Sequence, residues 1–160
     1  MTTKDFKTLI KELRRGKIYK DLSTNLFEFK TIEHLEYPKY LAQNLYERNS
    51  KLTFKDNPQQ TYKEFVDKFS PWIFAGFYDS EFKGIVYMYW EDNKCFINGF
   101  ARRKQHKLIK EGLQAIAKYM IINYTLDAVY SRPSNKAAIF LLKQSGFEEL
   151  DGTFKFTTED

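Results

Sequence analysis

The most constraining stretch of this 160-residue chain is its last third, where three kinds of periodicity follow one another at short, fixed lengths. From about Arg103 to Tyr124 the apolar residues Ile109, Leu113, Ile116 and Met120 recur at helical spacing, which predicts a long amphipathic helix. Leu126–Ser131 then reads as a strand, and Ser134 is placed to cap a second helix. That helix is expected to end at Ser145, with Gly146 in the left-handed position and Phe147 starting an extended run. Such a passage makes a crossover whose strand runs parallel to the one before it. The long helix opens on Ala101-Arg102-Arg103-Lys104-Gln105-His106-Lys107, so four cations surround its start. Free first-turn amides and the helix dipole suit such a place to a phosphate group.

Upstream, Thr3 to Arg15 reads as a helix with Phe6, Leu9, Ile10 and Leu13 on one face and Gly16 as its stop. Leu26 to Ile32 alternates as a short strand, and Pro38 is placed to open a helix running to about Arg48. Thr61 and Glu64 have the spacing of a capping box, opening a helix that buries Phe65 and stops before Pro71. Trp72–Tyr78, Gly84–Trp90 and Lys94–Phe100 are aromatic-rich runs joined by short polar turns, which predicts an antiparallel meander. A hairpin of Phe147–Glu149 and Thr153–Thr157 around Asp151-Gly152 closes the chain. The fold class expected is α/β. A mixed, mostly antiparallel sheet is flanked by helices, with an extra helix in residues 1–20, in a single domain over 1–160.

Composition narrows the function. Hydrophobic residues make up 42% and aromatics 18%, enough for a packed core and against disorder. The net charge of +5 comes from 26 Lys and Arg diluted by 21 Asp and Glu, which fits an anionic ligand and argues against nucleic acid as the main partner. One cysteine, Cys95, excludes an intramolecular disulfide and suggests a reducing compartment. No apolar run approaches a membrane span and no secretory signal is expected, so the cytoplasm is the expected location.

From its first strand onward the element order resembles the GNAT superfamily of N-acetyltransferases, over about residues 25–157. Asn135, Ala138 and Gly146-Phe147 look like that family's second cofactor-binding segment. The resemblance implies an acetyl-CoA-dependent transfer of an acetyl group to an amine. The pantetheine arm would enter between the strand before the long helix and the strand after it, with the pyrophosphate on the loop. The implied cofactor-binding residues are Phe100, Arg102, Arg103, Lys104, Gln105, His106, Lys107 and Asn135. The chain departs from the family pattern in three places. The strand Cys95-Phe96-Ile97-Asn98-Gly99-Phe100 carries no carboxylate, where the family usually has a glutamate base. The loop lacks the two glycines that let backbone approach a phosphate closely. Counting back five residues from Phe147, the family's usual tyrosine acid is replaced by Leu142, and the nearby Phe140 has no hydroxyl either.

A narrower likeness covers about residues 98–150. The glycine-free basic loop, the strand and the Asn-led helix are similar to GNAT-like internal virion proteins of short-tailed phages. That likeness implies a phage protein, located in the host cytoplasm or the virion, in which the fold is kept and transferase activity lost. Two readings follow. One is an N-acetyltransferase with a small-molecule or protein amine as acceptor. The other is a catalytically inactive virion, morphogenesis or host-interaction protein with a phage or host protein as partner.

Other constellations carry less. His34 and His106 are the only histidines and have no zinc-like spacing with the single cysteine. Glu91 and Asp92 are expected in a solvated turn. Tyr87, Tyr89 and Trp90 either line an acceptor groove or belong to the core. Lys4, Lys7, Lys11, Arg14 and Arg15 form a basic face on the first helix, which is either solvated or docks an anionic partner.

Overall fold

The computed structural model describes residues 3–14, 17–23, 27–31, 39–53, 61–69, 72–102, 105–124, 126–133 and 136–158. Two helices come first, α1 (Thr3–Arg14) and α2 (Lys17–Leu22), followed by strand β1 (Phe27–Thr31). Helices α3 (Lys39–Thr53) and α4 (Tyr62–Phe69) lead into the meander β2 (Ile73–Tyr78), β3 (Glu81–Glu91) and β4 (Lys94–Ala101). The last third is α5 (His106–Tyr124), β5 (Val129–Ser131), α6 (Lys136–Gln144), β6 (Glu148–Leu150) and β7 (Thr153–Phe156). The strands make one sheet in the order β1-β2-β3-β4-β5-β7-β6, antiparallel except for the β4–β5 pair. The expected α/β class and the parallel crossover through α5 are both present.

Local chemistry explains the elements. Asp79-Ser80, Asp92-Asn93 and Asp151-Gly152 all have positive φ, so three two-residue turns match the right-handed twist of the strands they join. The capping box is formed: the Glu64 amide donates to Thr61 Oγ1 at 3.1 Å, and the Thr61 amide to Glu64 Oε1 at 3.3 Å. At the end of α6 the Phe147 amide donates to Leu142 O at 3.0 Å and the Gly146 amide to Lys143 O at 3.3 Å. This is the Schellman arrangement, and it requires the φ of +89° found at Gly146. A Cβ at Gly146 would lie 3.6 Å from the Phe156 ring, an ordinary contact, so alanine there meets only backbone strain. We expect Gly146→Ala to lower stability by about 1–2 kcal/mol, read as a lower denaturation midpoint at unchanged slope.

The sheet separates two apolar layers. On one face Phe74, Val86, Met88, Cys95 and Ile97 pack with Ile109, Leu113, Ile116 and Met120 of α5, all four of these helical residues no more than 2% exposed. On the other, Ile73, Ala75, Ile85 and Tyr87 meet Leu45 and Tyr46 of α3 and Phe65 of α4.

The N-terminal segment differs from its sequence expectation. It holds two helices rather than one, and Leu9 and Ile18 are fully buried in the same cluster as α5. The Tyr124 hydroxyl donates to the Glu12 carboxylate, Tyr119 Oη to Asp21 Oδ2 at 2.8 Å, and Tyr19 Oη to Ile73 O at 3.3 Å. Ser23 Oγ donates to Tyr19 O at 2.7 Å and accepts from the Phe29 amide at 3.0 Å, joining α2 to β1.

Candidate cofactor cleft

The β4–β5 ladder is two residues long. Cys95 pairs with Val129 and Phe96 with Tyr130, and then the strands part. β4 continues to Ala101 along β3, with Met88 opposite Ile97 and Gly84 opposite Ala101. β5 instead turns to β7, where Ser131 faces Phe154. From Ile97 onward, the edge of β4 that faces β5 has no ladder partner among the described residues. Backbone donors and acceptors on such an edge take whatever extended group lies beside them.

The same strand delivers the chain to the start of α5. The Arg102 amide bonds to Lys83 O at 2.9 Å, the Gln105 amide to Arg102 O at 3.0 Å, and the Ile109 amide to Gln105 O at 3.2 Å. Gln105 therefore sits at the N-cap of α5. The amides of His106, Lys107 and Leu108 follow it in the first turn, where a helix supplies no acceptor of its own. No acidic residue occupies that turn, and Lys107 is exposed beside it. These groups suit an anion.

Arg102 has a second task. It is half-buried, and its Nη1 donates to Phe82 O at 3.0 Å, which anchors the guanidinium toward β3. Nearby, Lys83 Nζ lies 2.9 Å from Glu81 Oε2. The Lys83 hydrogen bond and charge, with a smaller effect from Arg102, hold the Glu81 carboxyl below the usual carboxylate range. His106 opens α5 and Phe100 pairs with Ile85 through the backbone; their side chains are not described. Arg103, Lys104, Ser134 and Asn135 lie outside the described residues. Gly99 seats the helix: a Cβ there would stand 3.4 Å from both Ile109 Cγ2 and Ile85 O.

A polar chain crosses the parting strands. Ser131 Oγ donates to Asn98 Oδ1 at 2.8 Å, and Asn98 Nδ2 donates to Tyr87 Oη at 3.4 Å. Ser131 is 1% exposed and Tyr87 5%, so these are buried polar groups in a largely apolar setting. Burial raises the Tyr87 phenol above its ordinary range, with the Asn98 bond opposing the shift only in part. Tyr87 thus stays protonated. Beside the chain, Tyr89 stacks on Phe96 with centroids 5.1 Å apart and planes at 10°. The Arg132 guanidinium lies over Phe96 at 4.5 Å and pairs with Glu91.

Sequence reasoning missed Asn98, Ser131 and the Arg132–Glu91 pair. An amide inside the apolar run Cys95-Phe96-Ile97-Asn98 was the available signal. Glu91 is the last residue of β3 rather than part of a solvated turn, because the two-residue turn needs only Asp92 and Asn93. Of the three candidate groove aromatics, Tyr87 is core, Tyr89 is half-buried, and Trp90 packs on Trp72 at 5.8 Å. Leu142 is also core, 4% exposed, whereas Phe140 is 64% exposed.

No protein-family model matches the chain, and no curated protein matches it. Solved structures do. A GNAT-family acetyltransferase from Bacillus anthracis superposes with a TM-score of 0.62 at 13% identity, over 84% of this chain and 96% of that one. The Campylobacter jejuni N-acetyltransferase PseH, in complex with acetyl coenzyme A, gives 0.53 at 16% identity over 84% and 100%. An acetyl transferase from Salmonella typhimurium that modifies the N-terminal serine of a 50S ribosomal subunit protein gives 0.60 at 11% over 85% and 97%. The chain has the fold of the GNAT acetyltransferases. No helix among the described residues is long and apolar enough to cross a membrane.

Proposed function

We propose that this chain is an acetyl-CoA-dependent N-acetyltransferase that moves an acetyl group to an amine. The observation that carries the reading is the parting of β4 from β5 after Phe96 and Tyr130, directly before a helix N-terminus lacking acidic residues. The bound thioester supplies the activated acetyl group. The free edge of β4 orients the pantetheine arm through its backbone. Phe100, Arg102, Arg103, Lys104, Gln105, His106, Lys107 and Asn135 are the residues we assign to holding the cofactor. With Leu142 in place of a tyrosine acid, the chain works by positioning, and the amine proton leaves through water. The solved neighbours supply precedent for both substrates: one is a complex with acetyl-CoA and another acts on a protein N-terminus. We assign a small-molecule or protein amine as acceptor, a cytoplasmic location, and a single domain in which α1 and α2 share the main core.

A second reading has its own support. Leu142 packs in the core, and residues 102–108 contain no glycine. These features favour an inactive GNAT-fold protein of phage origin, a virion, morphogenesis or host-interaction component. Titration calorimetry separates the two. The transferase reading expects micromolar acetyl-CoA binding, weakened about tenfold or more by Arg103→Ala and by Asn135→Ala, about 1.4 kcal/mol each. No heat at millimolar acetyl-CoA, with the fold intact, rejects it in favour of the second.

A further inference from the structure

We propose that Arg132, laid over Phe96 and held by Glu91, binds a carboxylate of the acceptor, so that the substrate is an amine carrying a carboxylate a few bonds away. The inference rests on the transferase reading above and narrows its acceptor class.

The first observation is place. Arg132 directly follows Ser131, the last residue of β5, and Phe96 is the last residue of β4 paired with that strand. The guanidinium lies 4.5 Å from the centre of the Phe96 ring, so it stands where the two strands part. Side chains alternate along a strand. Cys95 and Ile97 pack with α5, so Phe96 and the guanidinium over it belong to the opposite face. The cofactor reading uses the start of α5; an acceptor meets Arg132 from the other side of the sheet.

The second is access. On this face α3 and α4 cover Ile73, Ala75, Ile85 and Tyr87, and Phe69 of α4 reaches Tyr89 at 6.0 Å. Further along the sheet the covering thins: Tyr130 is half-buried, and the Arg132 and Glu91 side chains are 49% and 46% exposed. A ligand therefore reaches the guanidinium from solvent. The bond to Glu91 uses Nη1, and a guanidinium carries several N–H donors in a planar fork. A carboxylate binds beside Glu91 without breaking that pair.

The third is preorganisation. The ring beneath fixes the plane of the guanidinium and Glu91 fixes its edge, so little side-chain freedom is left to lose on binding. Lys94 Nζ lies 5.1 Å over the Tyr130 ring, which neighbours Phe96 at 5.7 Å, and it adds a second cation beside the first. An exposed ion pair contributes little to stability, so holding the fold does not account for this arrangement. A carboxylate, with its single charge, suits the site better than a phosphate, whose extra charge would meet Glu91 at close range.

Matched acceptors test the assignment. Initial rates at saturating acetyl-CoA are compared for free α-amino acids and for their carboxamides, which differ only at the group assigned to Arg132. The amine of an amino amide is the less basic, and more of it is unprotonated at neutral pH, so a preference for the acid reports binding and not amine reactivity. Tripeptide amides with a free N-terminus and aspartate or asparagine at the second position make the same comparison for a peptide source. On the wild type, kcat/KM for the carboxylate member of at least one pair should exceed that of its amide by about tenfold or more, chiefly through KM. Arg132→Gln should bring that ratio close to unity. Arg132→Lys, which keeps the charge and loses the fork, should fall between. A merely structural ion pair would shift the thermal melt of these variants and leave the ratio as it was. Ratios near unity on the wild type, or a ratio that Arg132→Gln leaves unchanged, overturn the inference while the transferase reading stands. Acetyl-CoA bound in calorimetry with no amine of either set acetylated also overturns it. No acetyl-CoA binding to the wild type overturns both.

Discussion

Replacing Phe65 with alanine is expected to lower stability by about 3–5 kcal/mol, among the largest effects of any single truncation in this chain. Phe65 is 2% exposed and is the one fully buried side chain of α4. Its ring stacks on Tyr46 of α3 at 4.5 Å and meets Tyr87 of β3 edge-on at 5.0 Å and Phe69 at 5.3 Å. Truncation removes all three contacts from one layer, and stiff aromatic rings on every side cannot collapse into the space. The melting temperature should fall by on the order of 10 °C. Phe65→Leu retains most of the volume and should cost about 1–1.5 kcal/mol. The effect should also reach the cleft, because Phe65 and Phe69 hold Tyr87, and Tyr87 holds Asn98. Near-equal melting temperatures for Phe65→Ala and wild type would show that α4 is not part of the cooperative core.

Much of this architecture was legible because its determinants are local. The spacing of Ile109, Leu113, Ile116 and Met120 marks one face of α5, and all four side chains are buried. Thr61 and Glu64 form the box their spacing predicts, and Gly146 adopts the backbone conformation that a helix stop before Phe147 demands. The helix expected to stop at Gly16 does end at Arg14; what its pattern does not announce is a second helix, α2, which follows at Lys17 with Ile18 and Tyr19 buried. The strand expected from Leu126 begins at Val129, although Leu126 and Ala128 are already buried, because burial there comes without a ladder partner.

The cleft was legible only in outline. The basic residues before α5 and the order of elements pointed to it. Its polar chain did not show, because Asn98 and Ser131 lie 33 residues apart and meet only through the register of two parting strands. No local pattern carries that register. The role expected of Arg102 also needed the structure, since a guanidinium in a cationic run gives no sign that it will bind a carbonyl 20 residues earlier.

The largest response to solution conditions should come at alkaline pH, and it comes from the tyrosines. Tyr46, Tyr87 and Tyr124 are each no more than 5% exposed, and burial raises all three phenols above their ordinary value. For Tyr124, the bond to the Glu12 carboxylate adds to the effect of burial. A raised folded pKa means that the contribution is fully present below the unfolded value of about 10 and is lost as pH climbs above it. In that range the unfolded chain has released protons that the folded chain still holds, at about 1.4 kcal/mol per group per pH unit. Tyr87 and Tyr124, the most strongly shifted of the three, together give a slope of about 3 kcal/mol per unit. The Cys95 thiol, which burial pushes up to about 12, begins to add to the loss from somewhat lower pH. A domain with about 5–15 kcal/mol to lose should therefore be stable through neutrality and unfold in a narrow step a unit or two above pH ~10. Tyrosinate absorbance and circular dichroism should change together in that step. Tyr124→Phe should make the alkaline fall shallower, while costing about 1.5–3 kcal/mol at neutral pH through the lost bond to a charged carboxylate. If tyrosinate forms gradually around pH ~10 while the far-ultraviolet signal is unchanged, the phenols ionise in the folded protein, and neither the buried aromatic layer nor the Tyr124 clamp holds their protons.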